Sequence, residues 1–470
     1  MKHSIILPLL GIALLPMGCT MAPNYTRPNA PVPAAWPVGA AYAESATTTN
    51  TGVVADLGWE EFFTDEKLRH VIAASLTNNL DLRGAALNVE LARAIYGIQR
   101  ASLLPTFGLG ASESKAGIPA DLSSSGSRMT TTRYDANLGI AAWEIDFFGR
   151  IRSLKDRALN EYLATEQARR SAQILLISTV AETYLALAAD RENLQLAETT
   201  LKSQMDAYAL IKHRYELGVV NELDLYRAQT QVDTARGDVA AFKQRVAQDQ
   251  NAMNLLAGAP VPADLLPAQL AEVKQPQEIQ SGIASEVLLS RPDVLQSEDM
   301  LKAANADIGA ARAAFFPRIS LTTAIGTASS ELSGLFMAGS GAWMYAPQII
   351  MPIFDARTWS ALTAAKAQQK IALNQYEKNI QGAFREVADT LAVRGTVSEQ
   401  VSAQESLVHA VTATHRLSTS RYDKGIDSYL SVLDAQRSLY GAQQRLVQLR
   451  YSKLVNQVRL YAVLGGGSPK

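Results

Sequence analysis

Leu430, Asp434 and Arg437 stand four and three residues apart in a stretch with helical periodicity. One stripe of a helix therefore carries an apolar side chain, a carboxylate and a guanidinium. Asp434 and Arg437 can pair with each other or bond to another helix. None of this is catalysis. The chain has no glycine-rich phosphate loop ending in Lys-Ser/Thr, no Gly-x-Ser-x-Gly and no His-Glu-x-x-His. Its five histidines form no ligand-spaced cluster, and its single cysteine, Cys19, permits neither an intrachain disulfide nor a cysteine metal site. The expectation is a protein that is not an enzyme and needs no cofactor or metal.

Cys19 has a different chemistry. Lys2 and His3 precede the apolar run SIILPLLGIALLPM, which ends at Gly18-Cys19. A charged start, an apolar centre and a small residue at the junction make residues 1–18 a secretory signal peptide, too short for a spanning helix. A cysteine at the cleavage point resembles the lipobox of bacterial lipoproteins, although Pro16 stands where Leu is commoner and Leu15 is one place early. Acylation of Cys19 is expected, and Thr20 in place of Asp after it points to the outer membrane. Lys and Arg number 44 and Asp and Glu 45, a net charge of −1. Such a balance, with only 7% aromatic residues, excludes an electrostatic or stacking case for nucleic acid. The most apolar later stretch, AQILLISTVAETYLALAA, carries Glu182 in its middle and reads as a packed helix.

The helix that carries the stripe begins after RYDKG (421–425), and RYELG (214–218) repeats that segment with Gly218 and Gly425 in register. The duplication is wide. YGIQRASLLP (96–105) faces IGAARAAFFP (308–317), an offset of 212. FFGR (147–150) faces FDAR (354–357) and VAET (180–183) faces VADT (387–390), an offset of 207. Residues 61–258 and 285–465 are thus tandem repeats. A Pro-rich tether covers 19–60, a Pro-rich linker 259–284 and a short tail 466–470.

Each repeat switches period twice. A helical stretch stops at Pro105 or Pro317. Strands follow at about 105–115 and 132–147 in the first copy and 317–327 and 341–354 in the second, joined by Ser/Thr/Gly-rich loops. In the second strand the apolar phase flips after Ala141-Ala142, which predicts a bulge. Helical periodicity then runs without Pro or Gly from Ile151 to Leu217, 67 residues or ~100 Å as one helix. Helical hairpins are expected at 151–257 and 357–464, turning at the paired glycines. The strands have outer-membrane length, with Tyr134, Trp143, Trp343 and Tyr345 as membrane-rim aromatics. Four strands cannot close a barrel alone, so spanning strands require several chains. A small soluble sheet packed on helices is the competing reading.

The stretches LGWEEFFTD, WEIDFFGRIRS, ANADIGAARAAFFPRISL, YEKNIQGAFREVADTLAVRGT, YLSVLDAQRSLY and the final LGGG carry a family likeness. The chain resembles the outer membrane factors, the TolC-like channels of Gram-negative tripartite efflux pumps, and within them the OprM-like lipoprotein branch. The resemblance implies a mainly α fold with a membrane β-barrel portion. Three chains would give a 12-stranded barrel in the outer membrane, continued by a periplasmic α-barrel. It also implies a homotrimer with a periplasmic adaptor and an inner-membrane RND transporter as partners, contact with outer-membrane lipid, and passive conduction. Gly218, Val219, Val220, Gly425 and Ile426 become the tips offered to the adaptor. Leu430, Asp434 and Arg437, with Tyr422 and with Asp224 as a partner on a neighbouring helix, become the periplasmic gate. Some members have a second Asp where this chain has Ser431, which argues against a double acidic ring. Metal-cation efflux, protein secretion and an anchored scaffold without a pore are the alternatives.

Overall fold

A computed structural model describes residues 20–42, 57–279 and 285–466. The chain order is α1 (Trp59–Phe62), α2 (Glu66–Asn78), α3 (Leu80–Ala101), β1 (Phe107–Ile118), β2 (Met129–Ile145), α4 (Arg150–Glu216), α5 (Glu222–Ala257), α6 (Pro292–Ala313), β3 (Arg318–Ser329), β4 (Gly341–Ile350), α7 (Ala356–Asp423) and α8 (Tyr429–Val463). Short 3-10 turns fill the linker between α5 and α6. Helix α4 has 67 residues and α7 has 68, so each is ~100 Å long. Two compact units emerge. One holds residues up to Asn29, Asn88–Thr165 and Ser297–Tyr376; the other holds Ala30–Leu87, Glu166–Gln296 and Glu377 onward. Each unit draws on both sequence repeats.

The first unit contains one antiparallel sheet in the order β1-β2-β3-β4. Cross-strand partners point to the same face, so the register sorts the side chains. Phe107, Leu109, Leu138, Ile140, Ile325, Trp343, Tyr345 and Ile349 share one face. Gly108, Gly110, Ser112, Asn137, Gly139, Gly326 and Gln348 share the other. The apolar face is not packed on helices: Leu109 is 85% and Trp343 81% exposed. This removes the reading of a soluble sheet laid on a helical core. On the small face, a Cβ at Gly139 or Gly326 would meet a neighbouring strand's carbonyl at 2.1 Å, so only glycine permits that approach.

The predicted bulge is present between Ile140 and Trp143. One extra residue enters β2, Ala142 takes φ 52° and its N–H donates to Thr322 Oγ1 at 3.2 Å. The extra residue returns Trp143 and Ile145 to the apolar face, opposite Leu321 and Ile319. The strand ends differ from the sequence expectation. Strand β4 stops at Ile350 rather than 354, because its partner β3 begins at Arg318, which pairs with Ile350. Strands β1 and β2 reach further toward their loop, to Ile118 and from Met129.

Beyond the bulge, the WEIDFFGRIRS stretch is a strand-to-helix joint. Arg150 donates to both oxygens of Glu144 at 2.8 and 2.7 Å, and Arg152 to Asp146 at 3.1 Å. Residues 20–27 are extended as expected of a tether, yet they are docked along α6. Asn305 donates to the Pro23 carbonyl at 2.7 Å, Arg312 to that of Met21 at 3.2 Å, and Tyr25 and Arg27 to Glu298 at 3.1 Å.

The second unit has an aromatic and ionic centre. Phe62 stacks on Tyr461 at 4.0 Å, and the Tyr461 hydroxyl donates to the Leu57 carbonyl at 2.7 Å. The apolar stretch around Glu182 is packed as expected, with Val180, Ala181, Tyr184 and Leu185 buried and Glu182 accepting from Arg459 at 3.0 and 2.9 Å. Buried Arg291 donates to Asp293 at 3.0 and 2.7 Å, to Glu386 at 2.9 Å and to the Val463 carbonyl at 2.8 Å. It thereby ties the start of α6 to α7 and the end of α8. Arg291→Ala is expected to cost roughly 2 kcal/mol through these lost charge-assisted bonds, read as a lower thermal midpoint in detergent.

Candidate functional site

The two hairpin turns are built alike. At the end of α4, Gly218 takes φ 73°, its N–H donates to Tyr215 O at 2.8 Å, and the Val219 N–H donates to Arg214 O at 2.8 Å. At the end of α7, Gly425 takes φ 73°, with matching bonds to Tyr422 O and from Ile426 to Arg421 O, both at 2.9 Å. This paired closure needs a left-handed residue, which is why both copies carry glycine. Asn221 then caps α5 by accepting from Asp224 N at 2.9 Å. In the second copy an ion pair braces the turn instead: Arg421 donates to Asp427 at 2.6 and 3.0 Å and holds that carboxyl below its ordinary pKa.

Val219 and Ile426 are exposed at the tips, 70% and 59%. Val220 is not: it is half-buried against a cluster of Ile211, Ala228, Tyr429, Val432 and Leu433, joined by Tyr208, Leu225 and Tyr422. Its sequence position suggested a free apolar tip, but the turn folds it back onto this cluster. Tyr422 meets Tyr429 at 5.3 Å between ring centroids, and the Arg214 guanidinium lies 5.4 Å over the Tyr422 ring. Burial first, and then neighbouring Tyr422 and Asp224, push the Tyr429 phenol up to about 12.

On the stripe itself, Leu430 is exposed and the Arg437 guanidinium donates to Asp434 within α8. Both partners of that pair face solvent. Asp224 does not reach this stripe within the chain; it approaches Arg227 on its own helix at 3.7 Å. Thus a single chain brings Asp434 and Arg437 together and leaves Leu430 and Asp224 outside that contact. Cys19 lies outside the described residues, as do residues 1–18. All four rim aromatics lie on the apolar face. Along β3, Tyr134 aligns with Ser329 at the loop end and Trp143 with Leu321 toward the helix end; Trp343 and Tyr345 fall between, at Ile325 and Thr323.

Sequence reasoning missed one acidic pair. Asp190 on α4 and Asp249 on α5 share a hydrogen bond, with the Arg245 charge nearby. Burial, then the Asp190 carboxyl, push Asp249 up to about 6. Its Oδ2 is buried and meets no donor among the described residues, which adds to the cost of its charged form.

A model of the outer membrane efflux protein family matches the chain twice, over residues 71–259 and 283–466. The chain is 46% identical to the probable efflux pump outer membrane protein TtgC of Pseudomonas putida over 463 residues, 98% of this chain and 95% of that one. It is 39% identical to the cation efflux system protein CusC of Escherichia coli over 461 residues, 97% of each. The open-state crystal structure of the Neisseria gonorrhoeae MtrE outer membrane channel matches with a TM-score of 0.84 at 37% identity, over 96% of this chain and 98% of that one. The exposed apolar sheet, the long hairpins and these matches define an outer-membrane efflux channel, not an enzyme and not a scaffold without a pore. The chain belongs to the outer membrane efflux protein family.

The carboxyl pair generates a pH prediction. The native Asp249 keeps its proton up to about pH 6, whereas an ordinary aspartate releases it near 3.8. The native state therefore binds more protons in that window, and its stability falls as pH rises through it. Asp249→Asn should flatten this part of the thermal-midpoint profile and raise the midpoint at pH 7.

Proposed function

We propose that this chain forms a homotrimeric exit duct for an RND-type multidrug efflux pump, closed at its periplasmic tip until an adaptor engages it. The observation that carries the reading is the sheet, apolar on its exposed face and open at β1 and β4. Unpaired backbone groups in lipid cost several kcal/mol each, so the edges must meet other copies. Three copies of four strands give 12, within the range of closed outer-membrane barrels. Outer-membrane lipid then covers the apolar face, and acylated Cys19 anchors the chain to the membrane.

At the other end the tips present Val219 and Ile426, with Gly218 and Gly425 shaping the turns, to the periplasmic adaptor. Threefold repetition makes Leu430 an apolar ring and Asp434 a ring of three carboxylates. The exposed Asp434–Arg437 pair is worth only a few tenths of a kcal/mol within one helix. It gains weight where a neighbouring copy covers it, with Asp224 and Tyr422 close by, and the adaptor opens the duct by shifting that equilibrium. Conduction is passive, driven by the inner-membrane transporter. The similarity to CusC supports a second reading, the same duct serving cation efflux.

Single-channel recording in bilayers tests the gate. Asp434→Ala and Arg437→Ala should each raise the time spent open without changing the barrel. Closed-state behaviour identical to the parent would remove these residues from the gate. For the anchor, Cys19→Ser should abolish labelled palmitate incorporation; persistent label would remove the anchor.

A further inference from the structure

Arg394 on α7 and Lys453 on α8 are both half-buried. Asn456 donates to the Thr390 carbonyl at 3.1 Å and Gln404 to the Ala442 carbonyl at 2.9 Å. These bonds fix an antiparallel register. In it Lys453, three residues before Asn456, comes level with Arg394, four residues after Thr390. Both side chains line one cleft of about 230 Å³. The anion that reaches Arg394 is Glu278, at 3.7 Å, and the Glu278 side chain is itself 81% exposed. Lys453 has no ion pair or hydrogen bond among the described residues. Two like charges held level in a half-buried cleft raise each other's energy, and an anion between them relieves it.

One wall of the cleft is the linker between the repeats, from Gln275 to Ile279. That linker is pinned to the segment that joins α1 and α2. The Lys274 N–H donates to Asp65 at 3.2 Å, the Thr64 hydroxyl to the Gln275 carbonyl at 2.7 Å and the Gln277 N–H to the Phe62 carbonyl at 2.8 Å. A second cleft of about 520 Å³ continues from the first and shares Gln275, Ser398 and Lys453 with it. The other two charges on its wall are matched, because Arg450 donates to Glu405 at 2.9 Å. Leu270, Val273, Val401 and Leu454 give the same cleft an apolar side. The double cleft thus has a cationic end and an apolar end under one fixed strap of chain.

We propose that this double cleft binds a small amphipathic organic anion. The carboxylate sits between Arg394 and Lys453, and the apolar body lies along Leu270, Val401 and Leu454. Every residue of the site comes from one chain and one compact unit, so the site does not depend on the number of copies. A neutral analogue leaves the two cations facing each other, so the site selects charge first. Inorganic phosphate answers the charges and leaves the apolar side in water, so it binds more weakly. The bound anion joins the linker to α7 and α8 and stabilises the folded chain by mass action.

Isothermal titration of 4-phenylbutyrate into the full-length protein in phosphatidylcholine nanodiscs tests this, with empty nanodiscs as the reference. Binding should saturate and raise the thermal midpoint. The neutral 4-phenylbutyramide should bind roughly tenfold more weakly or worse. Arg394→Gln and Lys453→Gln should each weaken 4-phenylbutyrate about tenfold, and Arg394→Lys should keep most of the affinity. Ser398→Trp keeps both cations and fills the junction of the two clefts from an exposed position. It should abolish binding, and it carries the test where loss of a charge unfolds the chain. No saturable binding to the parent would overturn the site. Unchanged binding to Arg394→Gln, Lys453→Gln and Ser398→Trp would overturn its location. Equal binding of the amide would overturn the selection of charge, and inorganic phosphate binding as tightly as 4-phenylbutyrate would overturn the apolar half.

Discussion

The hydrogen-bond ladder of the sheet sets the terms for the rest of the molecule. Four strands satisfy one another in the order β1-β2-β3-β4, and the outer edges of β1 and β4 have no strand partner among the described residues. In water such edges are a liability; in hydrocarbon they are prohibitive. The apolar face of the same sheet rules out water as its resting place. In the proposed oligomer, other copies would cover these edges. The joint at Glu144, Asp146, Arg150 and Arg152 matters because it makes the strand-to-helix transition with its charges paired. Without that pairing, four charged groups would sit unmatched beside the apolar face.

Much of this was legible in the chain. Period two and period 3.6 alternate in each copy, and the paired Gly218 and Gly425 mark turns that the structure closes with identical bonds. The phase flip at Ala141-Ala142 announced the bulge, because a period-2 pattern cannot change face without an extra residue. What escaped the sequence depended on tertiary contact. Val220 looks like the free tip residue Val219, and only the fold of the turn places it on the cluster around Tyr429. The tether reads as solvated, and its docking on Glu298 and Asn305 has no local signal. Asp190 and Asp249 are far apart in the chain and meet only because α4 and α5 lie side by side.

Duplication explains economy in the turns and divergence along the helices that follow them. Both copies need a tip, so both keep Arg-Tyr-x-x-Gly. After the turn their chemistry separates. The second copy has Leu430, Asp434 and Arg437; the first has Leu223, Arg227 and Thr230 at the same places. The braces differ too, an Asn221 cap in one and the Arg421–Asp427 pair in the other. A bond from the Asn side chain to a backbone N–H is indifferent to charge nearby, whereas an ion pair at an exposed turn is open to competition. The second tip is therefore the one braced by charge.

The gate proposed above has to hold a closed state and yet release it. Within one chain, the Asp434–Arg437 pair is exposed and satisfied locally, so it resists nothing by itself. A gate held by deeply buried ion pairs would be hard to open, because separating them leaves charges without partners in a poor solvent. A gate held by exposed pairs on one helix would not stay shut. The tip lies between these limits. Its apolar cluster, with Tyr429 buried beside Tyr422, gives each hairpin a firm end. The charges lie on the outside of that end, open to water. In the proposed gate, separating copies at the tip would change solvation at a few side chains while each hairpin kept its own packing.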